Sequence, residues 1–141
     1  MEQAKNSRRI RGRSILFMVL LFTLLPPART VHAAANWTVT TTADTNDGCD
    51  AAGCSLREAI GAAAPGDTIT VPADANPYTL SQSHLFINKD LTITGSGMGS
   101  TIIEQTNPHF RVFDIGNLGG LPPVVSISGL TITASGAWPW M

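Results

Sequence analysis

Two cysteines, Cys49 and Cys54, run directly into Ser55-Leu56-Arg57-Glu58-Ala59-Ile60, and this stretch holds the densest chemistry in the chain. A thiol pair at this spacing is either a short disulfide loop, two free thiols or half of a metal site. Zinc wants a third and fourth ligand close by, and the chain has no further cysteine, while His84 and His109 lie far along it. Arg57 and Glu58 could be read as a catalytic pair. Ser55 followed three residues later by Glu58 is, however, a capping box, which already occupies the carboxylate at the start of a helix. That helix should run from Leu56 through Ala63 until Pro65-Gly66 stops it.

Other acids are spread thinly. Asp67, Asp74, Asp90, Asp114 and Arg111 are scattered singly, mostly in turn-forming stretches, and of these only Arg111 and Asp114 lie close together. In a strand, Arg111 and Asp114 would point to opposite faces, because their positions differ by three. Asp44-x-Asn46-Asp47-Gly48-x-Asp50 offers oxygen ligands suited to calcium, but its glycine is fifth and Ser55 stands where a twelfth-position glutamate belongs. The residues therefore suggest no catalytic set, no metal site and no cofactor.

The elements that would carry these residues are short strands. Thr68-Ile69-Thr70-Val71, Leu91-Thr92-Ile93-Thr94, Thr101-Ile102-Ile103-Glu104, Arg111 to Ile115, Val124 to Ser128 and Leu130-Thr131-Ile132-Thr133 mostly alternate apolar and hydroxyl residues. Period-two alternation puts Ile69 with Val71, Leu91 with Ile93, and Leu130 with Ile132 on an inner face, and the threonines outside. The phrase Leu91-Thr92-Ile93-Thr94 returns 39 residues later at Leu130, with Arg111 to Ile115 about halfway. Ile69, Ile93, Phe113 and Ile132 would then mark successive coils of a solenoid, separated by 24, 20 and 19 residues.

Residues 1–33 read as a secretory signal: Lys5, Arg8, Arg9, Arg11 and Arg13 precede an apolar run from Ile15 to Leu25 too short to span a bilayer. Residues 34–141 then form one domain with no transmembrane span. Export removes most of the cations. Arg57, Lys89 and Arg111 remain against nine acids, a net charge of −6, which argues against nucleic acid or an anionic membrane as partner. An oxidising compartment also favours a Cys49–Cys54 disulfide.

Cys54-Ser55-Leu56-Arg57-Glu58-Ala59 closely resembles the motif that names the CSLREA family of secreted and surface bacterial proteins. The flanks Trp37 to Asp44 and Pro65 to Pro72 fit it as well, and with the later Leu-Thr-Ile-Thr phrases the resemblance covers residues 37–136. It implies an all-β fold, a right-handed parallel β-helix of the pectin-lyase-like kind whose short N-terminal helix caps the first coil. Relatives in that family continue with more coils. The resemblance thus implies the N-terminal fragment of a larger protein, or else a last coil covered by Trp138 and Trp140. In function it implies a secreted or cell-surface, adhesin-like module that binds extracellular polysaccharide or a surface protein. A remnant of a polysaccharide lyase is the alternative, and it lacks a converging set of acids.

Overall fold

The computed structural model describes residues 33–51, 53–116 and 120–134. The expected signal segment, Ala33 excepted, and Trp138 and Trp140 lie outside the described residues. Strands dominate: β1 (Asn36–Thr38), β2 (Asp67–Val71), β3 (Tyr78–Leu80), β4 (Leu85–Ile87), β5 (Leu91–Gly95), β6 (Ile102–Gln105), β7 (Phe113–Ile115), β8 (Val125–Ser128) and β9 (Thr131–Ala134). One helix, α1 (Leu56–Ala62), stands between β1 and β2. The strands form three sheets, β1-β2-β5-β8, β3-β6-β9 and β4-β7. Every pairing in them is parallel. The chain is thus all-β in class, and from β2 onward it visits the three sheets in constant rotation.

The alternation in the sequence explains the burial. In β2 the pattern is buried at Asp67, Ile69 and Val71 and half-buried at the two threonines between them. In-register pairing then stacks like on like: Trp37, Ile69, Ile93 and Ile127 form one inward column of the first sheet. Ile69 and Ile93 have no solvent exposure and share a core with Val71, Leu80, Leu85, Ile87 and Ile103. Each fully buried aliphatic side chain of this kind contributes about 2 kcal/mol. α1 packs on β2 and β4 and sends Leu56, Ala59 and Ile60 into the same core. It ends as expected, with Ala63 extended (φ −60°, ψ 143°) before Pro65-Gly66.

The structure corrects the expected repeat. Ile93 pairs with Ile127, 34 residues on, while Ile132 pairs with Ile103 in a different sheet. Phe113 pairs with Leu85 and not with either isoleucine. The recurring Leu-Thr-Ile-Thr phrase therefore marks strands of two different sheets, not one position two coils apart. Alternation encodes a half-buried strand but carries no label for which sheet it joins. Leu130 precedes β9 and is half-buried, and Ile132 is 48% exposed, since β9 is paired on one side only.

Candidate functional site

The Cys49–Cys54 disulfide is closed, with its Cα atoms 4.2 Å apart. Thr40 pins it from β1's side: the Cys54 amide donates to Thr40 Oγ1 at 2.8 Å and the Thr40 amide to the Cys54 carbonyl at 2.9 Å. A loop this short restrains the unfolded chain by about 2 kcal/mol on the loop-entropy estimate. Replacing both cysteines with alanine should cost about that much in urea unfolding at pH 7. A loss no larger than 0.5 kcal/mol, roughly that of a neutral surface change, would mean the hydrogen bonds alone hold the loop.

Ser55 and Glu58 make the capping box. Glu58 N donates to Ser55 Oγ at 3.2 Å and Ser55 N to Glu58 Oε2 at 2.7 Å. Glu58 does more than cap. Its Oε1 accepts from the amides of Asp47 (2.8 Å) and Gly48 (3.1 Å), and its Oε2 from Thr45 Oγ1 (3.2 Å). The Ser55 amide above all, with those of Asp47 and Gly48, outweighs the cost of burial and pulls Glu58 down to about 2. A side-chain hydrogen bond to Glu58 conversely pushes Asp47 up. The acidic turn is therefore fastened to the helix start by its backbone amides.

Arg57 fastens the same turn to the next strands. Its Nε and Nη2 grip Asp44 at 2.7 and 3.0 Å, and Nη2 and Nη1 also donate to the Ser83 and His84 carbonyls at 2.8 and 3.2 Å. Asp44 accepts the Ser81 and Gln82 amides as well, each at 2.9 Å. Burial raises Asp44, yet Arg57 and these amides outweigh it, so its carboxyl lies below the ordinary value. Asp67, 1% exposed, accepts from the Ala35 and Ala64 amides and from Trp37 Nε1. These carboxylates hold backbone in place.

Arg111 and Asp114 do meet, against the strand-alternation expectation. Arg111 Nη1 lies 3.4 Å from Asp114 Oδ1, because β7 starts only at Phe113 and Arg111 is not bound by strand geometry. Asp114 also lies 3.4 Å from His84 Nε2. His84 faces a groove of about 460 Å³ between α1 and β4, lined also by Asn46, Ile60, Phe86, Asn88 and Lys89. Lys89 Nζ donates to the carbonyls of Gly61 (3.2 Å) and Ala63 (2.6 Å) at the end of α1, where the helix dipole favours a cation. No spacing in the sequence joins Lys89 to Arg57 or His84. The only clue was that a chain so acidic keeps three cations after residue 33.

Comparison of the chain with protein families, curated proteins and solved structures gives no match. Among the described residues no helix is long and apolar enough to cross a membrane.

Proposed function

We propose that this chain is an exported, non-catalytic binding module, a right-handed parallel β-helix capped by α1, related to the CSLREA family and adhesin-like in presenting its side to extracellular polysaccharide. One observation carries the reading. The outer face of the first sheet aligns Asn36, Thr68, Thr92 and Ser126 in one column and Thr38, Thr70, Thr94 and Ser128 in the next. Strand spacing sets successive hydroxyls about 4.8 Å apart along each column, a flat polar array that suits a sugar chain's hydroxyls. The carboxylates of Asp44, Glu58 and Asp67 are committed to backbone amides, which supports binding over acid–base chemistry.

The full chain should be retained on immobilised polysaccharide. The double substitution Thr92→Val, Thr94→Val should reduce retention about tenfold, a loss of about 1.4 kcal/mol, while leaving the melting temperature unchanged. Two results would overturn the reading: no retention on any polysaccharide tested, or chelator-sensitive release of unsaturated products from polygalacturonate with calcium.

A further inference from the structure

We propose that the groove between α1 and β4 is a site for an acidic saccharide, with Lys89 receiving its carboxylate. The inference rests on the polysaccharide-binding reading and names the sugar class and place.

Charge distribution points there first. Among residues 34–141 the Lys and Arg residues are Arg57, Lys89 and Arg111 against nine acids. Arg57 and Lys89 line the groove, and Arg111 reaches it through Asp114 and His84. A strongly acidic surface repels anions everywhere else, so the one side where cations gather is where an anionic ligand would be admitted.

These cations are not equivalent. Arg57 is matched by Asp44, whose side chain is 1% exposed, and Arg111 and His84 share Asp114. Lys89 has no carboxylate within ion-pair distance among the described residues. Its two acceptors among the described residues are the neutral Gly61 and Ala63 carbonyls, which fix the ammonium in place and leave its charge and a third N–H for a ligand.

The rest of the groove suits a sugar ring more than a bare anion. Phe86 is 39% exposed and lines it beside Ile60, giving an apolar surface for a ring's C–H face. The Asn46 and Asn88 amides can both donate and accept, as hydroxyls require. Its volume, about 460 Å³, lies within the roughly 300–1,000 Å³ of small-ligand sites.

Titration of the full chain with a hyaluronan hexasaccharide, against a chitin hexasaccharide that lacks the carboxylates, tests the assignment. Wild type should bind hyaluronan at least tenfold tighter. Lys89→Gln keeps a donor near the Gly61 and Ala63 carbonyls but loses the charge, and should abolish that preference while lowering the melting temperature by only a few degrees; Lys89→Arg should retain it. Phe86→Ala should weaken both sugars. Preference for hyaluronan that survives Lys89→Gln would overturn the site while leaving polysaccharide binding standing. Equal displacement by millimolar inorganic phosphate would show a general anion site and overturn the saccharide assignment. Absence of binding to either sugar, with retention on other polysaccharides intact, would overturn the site alone. Absence of both would overturn the site together with the binding function.

Discussion

Gly95→Ala should destabilise the protein by more than about 3 kcal/mol, and Gly129→Ala by at least as much. A Cβ on Gly95 would collide with the Gly129 carbonyl oxygen and come within 2.8 Å of the Leu130 Cβ. A Cβ on Gly129 would in turn strike the Gly95 oxygen, and Gly129 adds a φ of +67° that side chains resist. Neither backbone can yield. Thr94 and Ser128, the residues before them, are in register between β5 and β8, and the Gly97 amide donates to the Gly129 carbonyl at 2.7 Å. Gly61 in α1 provides the contrast, because its added Cβ would meet nothing within 4 Å. Gly61→Ala should therefore stabilise by roughly 0.5–1 kcal/mol through helix propensity alone. Urea unfolding of the three variants checks this. A Gly95→Ala loss under 1 kcal/mol would show that the two turns can separate cheaply.

The same pair shows how far the sequence could be read. Gly95 ends and Gly129 follows a strand of alternating pattern, and the alternation located β2, β5, β6, β7, β8 and β9 to within two residues. It could not reveal that Gly95 stacks on Gly129, because the returning Leu-Thr-Ile-Thr phrase, with Arg111 to Ile115 halfway, suggested Phe113 as the next-coil partner of Ile93. Parallel pairing is fixed by the length of each excursion through the other sheets, and those lengths vary: 24 residues separate Ile69 from Ile93, and 34 separate Ile93 from Ile127. β1, β3 and β4 passed unnoticed because each spans only three residues, while the equally short β7 was found because Arg111 and Val112 extend its phrase to five residues. A window that short has no measurable period.

The site was legible in proportion to how local its bonds are. The capping box spans three residues and follows from residue types alone. The remaining bonds of Glu58 reach back ten or more residues to Thr45, Asp47 and Gly48, and the Arg57 fork reaches 13 back to Asp44 and 26 forward to Ser83. Lys89 meets the α1 carbonyls across 26 residues. Such contacts depend on which strand lies beside which, the very property that alternation leaves open.

Glu58→Gln should cost about 3 kcal/mol at pH 7, because charge-assisted bonds to the Ser55, Asp47 and Gly48 amides are lost together and an NH2 group is forced among donors. The pH dependence has a definite sign. Folding lowers Glu58 from 4.5 to about 2, so its stabilisation is complete above about 4.5 and drains away as pH falls toward about 2. Asp44 is lowered too and acts in the same direction. Asp47 is raised, so its share runs oppositely: present below its unfolded value and lost as pH rises through the folded one. It is exposed and its effect is correspondingly small. Wild type should therefore lose stability steeply between pH 4.5 and 2, and Glu58→Gln should show a shallower acid limb, reduced to what Asp44 and the other carboxylates supply. Urea midpoints of both proteins at pH 7, 4.5 and 2.5 decide the matter. Parallel acid limbs would show that the charge on Glu58 does not hold the Thr45 to Gly48 turn, and that its hydrogen bonds survive protonation. A shallower limb would instead make the acidic turn, and with it the disulfide beside it, the first part of the fold to loosen in acid.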